Sequence, residues 1–246
     1  MSSFIYDATA FSKAGRKKDN QDSVLFKELV ESKFVIAIAD GIGGKENGEV
    51  ASNIAINVIS ESIEKNTDIS MESLFEKVKL SLLEKSQESD KFKDMGTTLT
   101  VVFINKNKVS LGHVGDCRLY HLRGKGIITQ TKDQSEVQKL IDNGIISKQR
   151  AVDYHRKNIL LSAMTTTSDY ELQTNEFSLE NNDRLTLLTD GAYSLISKSE
   201  IRDISVLHNN LSDFLAKLKE TIEMRKIKDD YSVVALQIKK GSSPLC

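Results

Sequence analysis

The chain has 246 residues, 39% of them hydrophobic, and a formal net charge of -1 from 34 basic and 35 acidic side chains. That length and apolar fraction suit one large globular domain with a sizeable core, and the balanced charge gives no global pull toward nucleic acid or an anionic membrane surface. Two cysteines, Cys117 and Cys246, make no disulfide framework and predict a reduced, cytoplasmic chain.

The start, Met1-Ser2-Ser3-Phe4-Ile5-Tyr6-Asp7, lacks a basic region and a long apolar stretch, which predicts no signal peptide. No apolar run approaches the ~20 residues that span a bilayer. Strand-like runs read at 3–9, 22–29 and 33–39. Val50, Ile54, Val58 and Ile59 then form one helical stripe, and Leu74, Val78 and Leu82 a second, predicting helices over 47–65 and 70–88. Strands follow at 97–104, 107–114, 116–122 and 126–130, joined by turns such as Asn105-Lys106-Asn107 and Gly124-Lys125-Gly126. Around the run 116–122 the alternation is not strict: Leu119, His121 and Arg123 share a side, but Cys117, Tyr120 and Leu122 break the pattern. Val137, Leu140 and Ile141 lie on one helical face, with Gly144 where a glycine would end that helix. Strands at 170–177 and 184–189, a helical stripe of Leu211, Phe214, Leu215, Leu218 and Ile222, and a strand at 231–239 complete the pattern. The only proline, Pro244, lies in a tail from Gly241 to Cys246 that is expected to fray. Short turns between successive strands are hairpin spacing, so antiparallel sheets with helices on their outer faces, an α+β fold, are expected rather than a doubly wound parallel sheet.

Aspartates punctuate these strands. Apolar runs end at Asp40-Gly41, at Gly115-Asp116 and at Asp190-Gly191, while Asp22 and Asp229 precede further strand-like runs. A carboxylate at a buried strand end is costly unless something pairs with it. Several such positions point to hard cations bound by oxygen ligands. The loop Asp40-Gly41-Ile42-Gly43-Gly44-Lys45-Glu46-Asn47-Gly48 joins a strand to a helix, yet it fits neither the P-loop nor the dinucleotide-binding pattern. Two readings of it stand: a tight turn whose aspartate bonds locally, or a loop whose aspartate holds a cation that in turn holds a phosphate. Asp116-Cys117-Arg118 has a plain reading as a hairpin corner with a salt bridge.

Six segments, taken in order, carry a more specific signal. They are Asn20-Gln21-Asp22-Ser23, Ala39-Asp40-Gly41-Ile42-Gly43-Gly44, Gly96-Thr97-Thr98-Leu99, Val114-Gly115-Asp116-Cys117-Arg118-Leu119-Tyr120, Leu188-Thr189-Asp190-Gly191 and Asp229-Asp230-Tyr231-Ser232-Val233-Val234. Together they resemble the metal-dependent protein phosphatase family of the protein phosphatase 2C type, over nearly the whole chain. The resemblance implies a four-layer α-β-β-α sandwich with a binuclear Mn²⁺ or Mg²⁺ centre at one end of its two antiparallel sheets. Asp40 would bridge both ions, Asp190 and Asp229 would complete one, and the carbonyl of Gly41 would touch the other. Asp22 would act through water, and Asp116 would serve a third ion. A bridging hydroxide would hydrolyse phosphomonoesters, with the ions stabilising the charged oxygens. The substrates implied are phosphoserine and phosphothreonine proteins, those of a cognate Ser/Thr kinase among them, with no nucleic-acid or membrane partner and a monomeric state. One catalytic domain over 1–240 is expected, with a flap at 133–167 carrying Lys148, Arg150, Arg156 and Lys157, and a tail at 241–246.

The chain also departs from the family pattern. Lys17 stands five residues before Asp22, where the family has a phosphate-binding Arg, and Arg16 is one residue away. Either a bulge delivers Arg16 or Lys17 offers a point charge in place of a bidentate fork. Ser194 replaces an acid that many members use for the third ion, Asp230 stands where Asn is common, Cys117 where Ser is commoner, and Ile42 where eukaryotic members have His. Ile42 and the short length look bacterial. His113 reads as a partly buried sheet residue, and His121, His155 and His208 show no ligand spacing. Two rival functions remain. A non-catalytic phosphoprotein-binding module of this fold should have lost one of Asp40, Asp190 and Asp229; another two-metal phosphoesterase acting on nucleic acid should show a basic, aromatic-rich face.

Overall fold

The computed structural model describes residues 4–16, 19–42, 47–151 and 153–241. In chain order the elements are β1 (Phe4–Lys13), β2 (Asp22–Leu29), β3 (Lys33–Ile42), α1 (Asn47–Lys65), α2 (Met71–Glu88), β4 (Gly96–Thr97), β5 (Leu99–Asn105) and β6 (Lys108–Val114). They continue with β7 (Arg118–Arg123), β8 (Gly126–Thr129), α3 (Glu136–Asp142), α4 (Lys148–Ala151), β9 (Met164–Thr165) and β10 (Gln173–Ser178). The last are β11 (Arg184–Leu188), α5 (Asp190–Tyr193), α6 (Lys198–Leu207), α7 (Leu211–Glu223) and β12 (Tyr231–Lys240).

Every strand pairing is antiparallel. One sheet runs β1-β12-β11-β7-β8; the other runs β10-β6-β5-β3, with β2 on β3 and the short β4 and β9 extending beyond β3. Alternation decides which residues face which layer. Ile36 and Ile38 of β3 point between the sheets, against Leu185, Leu187, Val234 and Leu236. Val35, Ala37 and Ala39 point the other way, onto Ala55, Ile59, Leu74 and Val78 of α1 and α2. On the far side Tyr120, Leu188, Val233 and Ala235 pack against Ile201, Phe214, Leu218 and Ile222 of α6 and α7. The result is four layers, helix-sheet-sheet-helix. Because both faces of each sheet are covered, strands such as β3 and β11 read as unbroken apolar runs. The same fact explains the broken alternation in β7: Leu119 faces the inter-sheet core while Tyr120 and Leu122 face α6 and α7.

The helix ends follow local chemistry. Ser70 caps α2 by accepting from Ser73 N. The α3 helix ends at Asp142 with Asn143 as its C-cap, and Gly144 follows at φ 68, a left-handed position that glycine occupies without a Cβ penalty. Ser197 and Glu200 form a capping box at the start of α6, a helix the apolar periodicity did not announce. Other corrections are local. The seventh strand begins at Arg118, not 116, because Asp116 and Cys117 form the corner that leads into it, and the tenth begins at Gln173, not 170. His113 is fully buried, its Nδ1 2.8 Å from Thr100 Oγ1, and burial pushes its pKa down to about 4. Among the described residues, no helix is long and apolar enough to cross a membrane.

Candidate metal centre

One end of the sandwich gathers the strand-end aspartates. Asp22 opens β2 and is the cross-strand partner of Asp40 near the end of β3. Asp116 follows β6, Asp190 follows β11, and Asp229 precedes β12. Antiparallel pairing brings these termini together: β11 ends beside the start of β12 and the start of β7. The expected set of Asp22, Asp40, Asp116, Asp190 and Asp229 therefore meets in one place, with Gly41 beside it. Lys17, residues 43–46 of the glycine loop and the tail at 242–246 lie outside the described residues.

The carboxylates of the set act on one another electrostatically. Burial pushes the Asp40 carboxyl well above the usual carboxylate range, and Asp22, Asp190, Asp116 and Asp229 each push it further. Burial also raises Asp22, with Asp230 and Asp190 adding to the shift against the hydrogen bonds from Ser232 and Thr189. Asp116 is pushed up to about 7, by burial first and by Asp190 and Asp133 after it. Such mutual repulsion is relieved by protons or by bound cations.

The donor chemistry fits hard divalent ions. All the side chains are carboxylates, and Asp22 Oδ1 is buried with no hydrogen-bond partner among the described residues. Its Oδ2 is held by Thr189 Oγ1 at 2.9 Å and Ser232 Oγ at 2.7 Å, which aims the free oxygen in one direction. Among the described residues, no three acidic, His or Cys side chains form a ready-made metal cage.

Several residues without an expected role build the frame. Asp40 is fixed through its backbone: its N–H donates to Thr98 Oγ1 at 3.0 Å, and its carbonyl accepts from Thr98 N at 2.8 Å and Thr97 Oγ1 at 3.0 Å. Cys117 Sγ lies 3.2 Å from Thr98 Oγ1, and burial raises its thiol pKa, so it serves as packing beneath Asp40. Asp230 is buried, and its two oxygens accept from Gly15 N at 2.8 Å and Gln21 N at 2.9 Å. It clamps both the loop that carries Arg16 and the residue that precedes Asp22. A carboxylate can accept both bonds where the Asn common in the family has a single oxygen acceptor. The sequence signal was present: Thr189 and Ser232 are polar residues inside otherwise apolar runs.

Asp116 sits differently from its plain reading. The salt bridge of this corner joins Arg118 to Asp133 at 2.7 Å, and Asp116 Oδ2 instead accepts from Tyr193 Oη at 3.3 Å. The Arg118 guanidinium lies 3.7 Å from the centre of the Tyr193 ring. Ser194 Oγ donates to Gly191 O at 3.3 Å, so it closes the turn of α5. In the segment expected to form the flap, Arg156 is tied to Glu136 at 2.7 Å, which leaves the exposed Lys148 and Arg150 as the more available basic groups. His121 is bound to Asp183 at 2.8 Å and stacked on Phe177, remote from the acidic end.

Known proteins resemble this chain in sequence and fold. A family described as Protein phosphatase 2C matches residues 12–230. The serine/threonine phosphatase stp of Listeria welshimeri is 30% identical over 205 residues, covering 79% of this chain and 80% of that protein. The Staphylococcus aureus serine/threonine phosphatase Stp1 superposes with a TM-score of 0.87 at 24% identity, covering 96% of both chains, which establishes the shared fold. The catalytic domain of the phosphatase PstP, solved in complex with 2 manganese ions, matches at 25% identity and a TM-score of 0.82, covering 96% of this chain and 100% of that one. With nearly its whole length matched and its strand-end aspartates gathered at one end of the sandwich, this chain belongs to the protein phosphatase 2C family.

Proposed function

We propose that this chain is a serine/threonine phosphoprotein phosphatase that works with Mn²⁺ or Mg²⁺ in the cytoplasm, as one catalytic domain over 1–240. The observation that carries this reading is the Asp40 carboxyl, surrounded by four other carboxylates in an oxygen-only site. In this reading Asp40, Asp190, Asp229 and the Gly41 carbonyl would hold the two main ions, and Asp116 would serve a third. When bound, the ions supply the positive charge that draws in a phosphoryl dianion and acidifies water for in-line attack. Thr189 and Ser232 fix the carboxylate of Asp22, so its remaining oxygen can orient a water molecule. The rival binding-module reading is disfavoured because Asp40, Asp190 and Asp229 are all present.

Hydrolysis of a phosphothreonine peptide and of p-nitrophenyl phosphate should require millimolar-range Mn²⁺ or Mg²⁺, since hard oxygen sites bind such ions modestly. Exhaustive chelation should abolish both activities, and added Mn²⁺ should restore them, with no cleavage of nucleic acid under the same conditions. Full turnover after chelation would refute the metal reading.

A dianion also needs a cation beyond the metals to fix its orientation. Arg16 is exposed and follows Gly15, whose N–H is pinned to Asp230 beside Asp229. That anchor supports Arg16 as the phosphoryl ligand over Lys17, and its planar fork matches two phosphoryl oxygens. Arg16→Ala should raise KM with a smaller fall in kcat, because the contact exists already in the ground state. Lys17→Ala should stay close to wild type, and the reverse ranking in steady-state kinetics would give the role to Lys17.

A further inference from the structure

Gly115 turns the chain from β6 into the corner that carries Asp116. Its φ of 112 lies in the left-handed region, which glycine enters without a Cβ penalty. A Cβ there would stand 2.6 Å from both Cβ and Cγ2 of Thr98, whose hydroxyl accepts from Asp40 N. The corner is therefore packed against the frame of Asp40 on one side. Glycine is also the most permissive backbone position, so the aim of the Asp116 side chain depends on what restrains Gly115.

That restraint comes from one residue. Gln134 Oε1 accepts from Gly115 N at 2.8 Å, and Gln134 N donates to Gly115 O at 2.8 Å. Both backbone polar groups of the buried glycine thus end on Gln134, 19 residues away. Gln134 is itself anchored from the other side. Its carbonyl accepts from Leu161 N at 2.8 Å, and its Nε2 donates to Glu171 O at 2.7 Å. Beside these bonds Ser135 and Leu160 form a β-bridge, and Glu136 N donates to Ile159 O at 2.8 Å. Main chain and side chain are held together, so Gln134 offers Gly115 a rigid support.

The neighbouring Asp133 acts on the other side of the corner. It takes the Arg118 guanidinium with both oxygens, at 3.1 and 2.7 Å. Arg118 lies against the Tyr193 ring, whose hydroxyl donates to Asp116 Oδ2. That last bond is 3.3 Å, long for a hydroxyl donor, and fixes the carboxylate only loosely. The tighter hold is on the backbone before Asp116, through Gln134. We propose that Gln134 is a positioning residue: by holding both polar groups of Gly115 it aims the Asp116 carboxylate. The proposal rests on the reading of Asp116 as the carboxylate that serves a third ion. Groups that orient a metal-binding side chain typically cost roughly 10–100-fold in affinity or activity when they are lost.

The test is Mn²⁺ calorimetry of Gln134→Met, which keeps the length of the side chain and removes both of its hydrogen bonds. The two tighter binding steps should match wild type, and the Kd of the weaker step should rise roughly tenfold or more. On a phosphothreonine peptide kcat should fall with KM close to wild type, and higher Mn²⁺ should restore part of it, because Asp116 is still present. Gln134→Ala should give the same Mn²⁺ shift, so a repacked thioether does not decide the result. Lys79→Ala is the control. It frees the Thr165 and Ser168 carbonyls at the far end of the flap segment without touching Gly115, and should lower Tm while leaving the weaker step unchanged. In an Asp116→Ala background, Gln134→Met should add no further fall in kcat. A weaker step unchanged in both Gln134 variants, or changed equally in Lys79→Ala, would overturn the role of Gln134 and leave the third-ion reading intact. A weaker step that survives Asp116→Ala unchanged would overturn both.

Discussion

Asp40→Asn should lower kcat by roughly three orders of magnitude, or about 4 kcal/mol of barrier, while making the metal-free protein more stable. The two halves share one cause. Burial and four neighbouring acids disfavour the charged form of Asp40. Asparagine keeps its shape and removes its charge, so the apo protein should lose a repulsion and the holo protein should lose the carboxylate proposed to hold both ions. Asp190→Asn should follow the same pattern. The pH dependence has a definite sign. A carboxyl whose pKa is raised on folding binds more protons in the folded state than in the unfolded state, so stability falls as pH rises between the two values. For Asp116 that window runs from an ordinary 3.8 to about 7. The chelated wild type should therefore show a Tm that drops from pH 4 toward pH 7. Saturating Mn²⁺ should flatten that slope, and Asp40→Asn should reduce it without metal. Asp116→Ala should leave Mn²⁺ binding at the two main positions largely intact, with slower turnover. Calorimetry showing equal loss of Mn²⁺ in Asp116→Ala and Asp40→Asn would break this division of labour, and an Asp40→Asn protein with wild-type kcat would remove Asp40 from the mechanism.

Much of this arrangement is visible in the chain because buried charge is rare and its position is informative. Asp40, Asp116 and Asp190 each follow an apolar run, and the antiparallel pairings of β3, β6 and β11 bring those ends together. The long helices were legible from the period of Ile59, Leu74 and Val78. What escaped was set by contacts between distant segments. The α6 helix carries a capping box, but few of its residues are core residues, so its apolar stripe is short. Tyr193 bonding to Asp116 across 77 residues, and Asp230 bonding to Gly15 across 215, have no local signature. Strand β7 was legible as a run at 116–122, but its two buried faces erase the strict alternation that a strand with one wet face shows.

Gly191→Ala should be nearly as damaging as loss of the acids, although it changes no charge. A Cβ at Gly191 would stand 1.9 Å from the carbonyl oxygen of Asp230 and 2.9 Å from its carbon. These are backbone atoms at the start of β12, so no side chain can rotate away. Either the first turn of α5 or the Asp229-Asp230 segment must shift. The first shift moves Asp190 and the second moves Asp229, and both weaken the Asp230 clamp on Gly15 and Gln21. Overpacking of this kind costs roughly 1–3 kcal/mol, and at ~2–4 °C per kcal/mol for a chain of this size the Tm should fall by several degrees. Activity should fall much further, by at least about a hundredfold, because displacements near 1 Å at a reacting site can cost that much. Gly144→Asn is the control. Gly144 has φ 68 and open space around it, and Asn tolerates the left-handed region, so stability and turnover should both stay close to wild type. If Gly191→Ala folds with wild-type Tm and kcat, the close approach of α5 to β12 is not what holds Asp190 and Asp229 in register.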